Sequence, residues 1–262
     1  MQSAMYSGLF GALTSEHRMN SIANNLANVN TTGYKRDVLA FKDTFYMYAH
    51  DQIFEPAASI RDKKAFPEPT HFAKPRIALA LTDFQQGGLK VTGAPMDVGI
   101  SGEGFFRVRS PDGELYTRNG HFRTTSEGLL ITEQGYPVLG EGGEITVPAG
   151  YGTLTIAEDG RLFADGEQFG QLDLVGVANP WDLEKAGHNI YKPREGTEIE
   201  EVAVDPANSW MAQGFLEAAN VDVVYEMVNM IETQRHFEAM QKVMQTSDTV
   251  DREAISKVAR RA

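Results

Sequence analysis

The chain has 262 residues, 36 acidic against 24 basic side chains for a formal charge of −12, 42% hydrophobic content and no cysteine. A chain of this size can bury a real core; its charge argues against a phosphate-binding surface and hence against nucleic acid, and the lack of cysteine removes disulfides, thiol nucleophiles, iron–sulfur clusters and cysteine zinc sites. No apolar run reaches the ~18 residues of a membrane span, since the best stretch, Val223 to Ile231, is broken by Tyr225, Glu226 and Asn229, so direct membrane insertion is not expected.

The N-terminus does not read as an ordinary cleaved secretory signal, because no positive charge precedes the mildly apolar Ala4 to Leu13 stretch. From Ser3 to Asn28, Met5, Leu9, Ala12, Glu16, Met19, Ala23 and Leu26 recur in steps of four and three. That is a helical heptad seam, widened by Leu13 and Ile22 beyond what one partner needs. The helix should stop within Asn24 to Tyr34, where asparagines compete with the helix backbone and Gly33 accepts a positive φ. Asn25, Asn28, Thr32 and Gly33 are the candidate turn residues. Residues 37–80 show neither helical nor strand period and hold seven aromatic residues from Phe41 to Phe72 with four prolines. A segment so rich in aromatics is expected to be irregular but pinned against a neighbour.

Twenty-two of the 25 glycines lie between Gly87 and Gly214, three precede residue 37 and none follows Gly214. Between Leu81 and Phe215 short alternating runs are punctuated by turn pairs: Phe105 to Arg109, Glu114 to Arg118, Leu154 to Ile156, with Asn119-Gly120, Asp159-Gly160 and Asp165-Gly166 as hairpin signals. This predicts an antiparallel all-β domain. A parallel α/β sheet is disfavoured, since no crossover helices alternate with the strands. After Asn220 the chain runs without glycine or proline to its end. There Val223, Met227, Met230, Phe237 and Met244 form one seam and Val224, Val228 and Ile231 a second row, the pattern of a long helix that packs with other helices.

The expected fold is therefore α+β: long N- and C-terminal helices pairing as a coiled-coil-like bundle, plus a central antiparallel all-β domain. The expected boundaries are 1–36, 37–80, 81–216 and 217–262. Charge divides in the same way, +2 in residues 1–36 and −2 in 217–262, leaving −12 between them.

The chemistry-bearing patterns all read as structure. Six histidines are scattered without metal-ligand spacing, and His236 with Glu238 is half of a deaminase signature with no cysteine pair to complete it. The glycines of Gly99 to Gly104 lack a P-loop Lys-Ser/Thr and are followed by a strand pattern, not a helix; Ser101 is not in a nucleophile elbow. Glu158, Asp159, Asp165 and Glu167 miss calcium-loop spacing and sit in Asp-Gly turns. No catalytic residue, cofactor or metal site is expected. A secreted β-rich hydrolase with helical extensions would need clustered, perturbed carboxylates or histidines in a pocket of residues 81–215, and a surface adhesin would not need matched heptads at both ends.

Three ordered blocks carry a resemblance. Asn24 to Lys35 (NNLANVNTTGYK) follows the N-terminal heptad helix. Asp83 to Val108 (DFQQGGLKVTGAPMDVGISGEGFFRV), continued by Arg118 to Phe122, opens the β domain. Gln213 to Val221 (QGFLEAANV) with Gln234 to Glu238 (QRHFE) opens the C-terminal helix. Together they resemble the bacterial flagellar axial family of rod and hook proteins, with Ala218-Ala219 and Met96 as mild departures. Length and the QRHFE block are similar to the two rod subunits of this size. The start Met1 to Tyr6 and the aromatic segment after Lys35 favour the proximal type over the distal.

The resemblance implies a structural subunit of the basal-body rod, located where the rod crosses the periplasm and exported through the flagellar type III apparatus. Its partners would be copies of itself and other axial rod and hook proteins, and its work the transmission of motor torque. Leu9, Met19, Ile22, Leu26, Val224, Met227, Ile231 and Phe237 are then expected to carry inter-helix packing, and Asn25, Asn28, Thr32 and Gly33 to set the turn that redirects the chain outward.

Overall fold

The computed structural model describes residues 2–46, 72–111, 113–197 and 199–259. It is α+β, with one helix at each end and antiparallel strands between them. The chain divides into two compact units, one formed by residues 1–24, 38–81 and 224–262, the other by residues 25–37 and 82–223.

The first unit contains most of α1 (Gln2–Ala27) and α2 (Val223–Ala259). The two helices run antiparallel where they touch: a β-carbon at Gly8 would stand 2.8 Å from Met244 Cγ, one at Gly11 2.9 Å from Met240 Sδ, and Ser15 Oγ lies 3.1 Å from His236 Nδ1. The shielded positions include Gly8, Gly11, Ala12, Ser15, Met19 and Ile22 on α1, and Glu226, Met230, Thr233, Phe237, Met240 and Met244 on α2. Both sets advance in heptad steps. Small residues on α1 therefore face flexible methionines on α2, which fill the gaps that glycine leaves.

The segment read from sequence as irregular is strand at both of its described ends: Asp37–Tyr46 and Phe72–Thr82 pair as a two-stranded sheet. Alternation in Ile77-Ala78-Leu79-Ala80-Leu81 is the strand signal that the neighbouring prolines and aromatics obscured. The expected pinning of the aromatic side chains from Phe41 to Phe72 lies outside what is described, since residues 47–71 are not among the described residues and only the backbone of the flanking strands is.

The second unit is built on a six-stranded antiparallel sheet. Its spatial order is Leu183–Gly187, Ile190–Pro193, Gly113–Thr117, Phe105–Ser110, Leu174–Val177, Glu201–Ala203. Because side chains alternate across a strand, the adjacent Phe105 and Phe106 feed two cores. Phe106 and Val108 join Val98, Ile100, Phe122, Leu130, Val138, Leu162, Leu172 and Met211. Phe105 joins Tyr116, Val175, Leu183 and Tyr191 on the opposite face, with Phe84 packed edge-on against Phe105 and Tyr191 at 5.5 and 5.1 Å.

The Asp-Gly signals mark real turns in the meander Leu154–Ile156, Arg161–Ala164, Glu167–Gln171. Asp165 and Gly166 take φ of 50° and 90°. The Asp165 carboxylate also accepts N–H groups of Gly152 and Thr153, which hold its pKa below the usual value. Asn119-Gly120 is a correction. It joins Gly113–Thr117 to Phe122–Thr124, strands of different sheets, so it closes no hairpin. Glycine is required at 120 because a β-carbon would fall 1.7 Å from the Val98 carbonyl oxygen.

Candidate functional site

The residues after α1 fold with the β unit. Tightened bonds end the helix, Asn28 N–H donating to Asn25 O and Val29 N–H to Leu26 O. Asn25, buried at 2% exposure, then works as a bracket. Its Nδ2 donates to the Asp37 carbonyl at 3.0 Å, while its Oδ1 accepts from Asp37 N–H at 2.9 Å and from the Tyr34 hydroxyl at 3.0 Å. A side-chain amide thus closes residues 25 to 37 into a loop, as a neighbouring strand would.

Inside this loop Asn28 Oδ1 accepts from Thr31 Oγ1 at 3.3 Å, and Thr32 Oγ1 donates to Asn119 Oδ1 at 3.1 Å. Gly33 has φ of 68°, its N–H donates to Glu217 O at 2.8 Å, and a β-carbon there would lie 2.7 Å from the Asn119 nitrogen. Both its torsion and this close approach demand glycine.

Lys35 is fully buried and donates to Glu217 Oε1 at 2.6 Å and to the Gln85 carbonyl at 2.7 Å. Arg118 Nη1 donates to Glu217 Oε2 at 3.2 Å, its Nη2 donates to Gly102 O, and its guanidinium lies 5.4 Å from the Phe105 ring centroid. Gly87 N–H completes the Glu217 set at 2.8 Å. Burial pushes the Lys35 ammonium pKa down, and the Glu217 charge opposes that shift.

Around this centre, Lys185 donates to Lys35 O and pairs with Asp37 at 2.7 Å, its Nζ 4.3 Å from the Tyr34 ring centroid. Asn220 Oδ1 accepts from Arg36 N–H at 2.8 Å, and its Nδ2 donates to the carbonyls of Asp83 and Gln85. Arg36 pairs with Asp83. The result is a polar clasp in which segments distant in sequence satisfy one another's buried groups.

The eight expected packing residues lie elsewhere. Leu9, Val224, Met227 and Ile231 are exposed, at 44%, 72%, 50% and 53%. Met19, Leu26 and Phe237 are half-buried and Ile22 is buried. The structure groups Asn25, Asn28, Thr32 and Gly33 in the clasp. Sequence reading missed Lys35, Arg118, Glu217 and Asn220 as functional residues, although all four stand within the quoted blocks. The available signal was a set of charged and amide residues inside motif runs that are otherwise apolar or turn-forming.

Three family profiles match the chain in order: the flagella basal body rod protein profile over residues 5–35, the flagellar hook protein FlgE/F/G D1 domain over 99–164, and the flagellar basal body rod FlgEFG protein C-terminal over 212–257. Lys35, Arg118 and Glu217 come one from each matched segment, so the clasp is where the three meet. The chain belongs to the flagellar basal-body rod protein family, whose members are structural proteins of the rod and not enzymes. Among its relatives, the flagellar basal-body rod protein FlgF of Caulobacter vibrioides is 32% identical over 99% of both chains. FlgG of Borreliella burgdorferi is 35% identical over 95% of this chain and 96% of its own. FlgG of Bacillus subtilis is 31% identical over 98% and 99%.

Proposed function

We propose that this rod subunit assembles through its terminal helices, which pair as a coiled-coil-like bundle and present a second apolar face to copies of itself and to other axial proteins. The observation that carries this reading is a division of labour. Small residues and methionines fill the contact between α1 and α2, while Leu9, Val224, Met227 and Ile231 remain exposed with Met5, Leu13 and Val228 beside them. Exposed apolar rows of this extent on helices signify an interaction surface. A surface that meets a different surface on the next copy propagates without closing, as an axle requires. Its work is the mechanical transmission of torque.

In this reading the units divide functionally as residues 1–36, 37–80, 81–216 and 217–262. Asn25, Asn28, Thr32 and Gly33 set the turn, and export runs through the flagellar type III apparatus. We place the subunit in the proximal rod, supported by the end-to-end match to FlgF and by the start Met1 to Tyr6. The distal rod is the second reading, favoured by the 35% identity to FlgG of Borreliella burgdorferi.

The test is to express the Ile231→Asp variant in cells lacking their own copy and to isolate basal bodies. We expect a folded subunit absent from the rod. Normal incorporation would contradict the reading. Rescue of strains lacking FlgF, but not of strains lacking FlgG, separates the proximal from the distal assignment.

A further inference from the structure

Among the described residues, the large exposed apolar side chains of the two helices fall into two groups, apart from the single valines Val243 and Val250. On α1 the group is built on one row, Met5, Leu9 and Leu13, spaced by four residues. On α2 it is built on two neighbouring rows, Val224 with Val228 and Met227 with Ile231. Rows spaced by four form the ridges of a helix surface, and helices pack by seating a ridge of one in the groove between ridges of another. The two groups also match in length, about 12 Å for Met5 to Leu13 and about 10 Å for Val224 to Ile231 at the helical rise of ~1.5 Å per residue.

Within one copy these groups cannot meet. The juxtaposition of Gly8 with Met244, Gly11 with Met240 and Ser15 with His236 sets Leu9 level with Val243, which lies about 22 Å along the helix from Val228. The ridge therefore sits at one end of the helix pair and the groove at the other. We propose that the ridge Met5, Leu9, Leu13 of one copy seats in the groove between Val224–Val228 and Met227–Ile231 of a second copy, parallel to the first and displaced by about 22 Å along the helices. Pairing each group with itself would need two different contacts. Pairing one with the other buries both in a single contact and leaves a ridge free at one end and a groove at the other, so the next copy adds in the same way. In this parallel arrangement α1 runs antiparallel to α2 of the second copy, which brings Met5 beside Ile231. A closed pair related by a two-fold axis would reverse the sense and bring Leu13 beside Ile231. The inference deepens the assembly reading and rests on it for a second copy of the chain as the partner.

Two measurements test it. First, the native absence of cysteine permits disulfide trapping in assembled rods. Rods built from a mixture of Met5→Cys and Ile231→Cys chains should yield, on oxidation, at least tenfold more covalent dimer of this chain than rods built from Leu13→Cys and Ile231→Cys chains. The reverse preference would establish the closed pair. No dimer from either mixture, or a cross-link only to a different protein, would overturn the ridge-and-groove contact between copies. Each of these results leaves helix-driven assembly standing, which normal incorporation of Ile231→Asp would contradict separately.

Second, charge compensation is measured in cells lacking their own copy. Leu9 and Val228 are both exposed within one copy, so substitution there spares the contact between α1 and α2. Leu9→Glu and Val228→Arg should each lower the amount of subunit in isolated basal bodies at least tenfold, because each leaves an unpaired charge in the buried contact. The chain carrying both should recover at least fivefold, since the introduced carboxylate of one copy then meets the introduced guanidinium of the next. Single variants that enter rods normally, or a double variant no better than the single ones, would overturn the proposal.

Discussion

Glu217 accepts from Lys35, Arg118 and the Gly87 amide with no exposure of its carboxylate, so its substitution tests the clasp at a single atom set. Removing one partner of a buried ion pair leaves uncompensated charge and costs about 3–5 kcal/mol. Glu217→Gln should lower the urea midpoint of the β unit accordingly. By contrast, Glu184→Gln, which breaks the exposed pair with Lys192, should change stability by less than about 1 kcal/mol.

The same neighbourhood sets an alkaline limit. Burial raises the phenol pKa values of Tyr191 and of Tyr116, the latter helped by its hydrogen bond to Glu201. A group whose folded pKa is raised stabilises fully below its unfolded value, about 10 for tyrosine, and loses that contribution as pH rises further. Lys35 and Lys185 have depressed pKa values, again through burial. They act in the opposite sense, adding stability as pH approaches their unfolded value of about 10.4. Denaturant unfolding from pH 8 to 11.5 should therefore show stability holding to about pH 10 and falling above it, with a shallower fall in Tyr116→Phe.

At this scale Gly33 was legible in the sequence because its torsion is a local property. Lys35 was not. A lysine beside a turn reads as solvated, and its partner lies 182 residues away.

Helices and strands were legible where periodicity was strong, and misread where size mattered more than apolarity. The sequence seam on α1 was drawn through the large residues Met5, Leu9 and Met19. The structure places the small residues Gly8, Gly11 and Ser15 against α2 and leaves Met5 and Leu9 exposed. Glycine and serine carry no hydropathy signal, yet they decide how closely two helices approach. Gly11→Ile tests this reading. Its β-carbon would crowd Met240 Sδ at 2.9 Å, and a branched side chain prevents the methionine from simply swinging aside. Amide exchange in α1 should accelerate while the melting of the β unit stays unchanged; unaltered protection of α1 would contradict the contact. Strand Asp37–Tyr46 escaped detection for a related reason, since part of what orders its first residue is the Asn25 amide, a tertiary cue invisible to local pattern.

For the whole molecule, the opening charge and glycine counts locate one acidic β unit, and the three family segments locate the clasp that closes it. Residues 25–37 belong to that unit, joined by Asn25, Gly33 and Lys35, so a truncation meant to isolate assembly must spare them. The most direct measurement is made on the chain lacking residues 1–24, comparing its thermal unfolding and its incorporation into rods with those of the full chain. The account predicts an unchanged β-unit transition and no incorporation. A truncated chain that enters rods normally would contradict it.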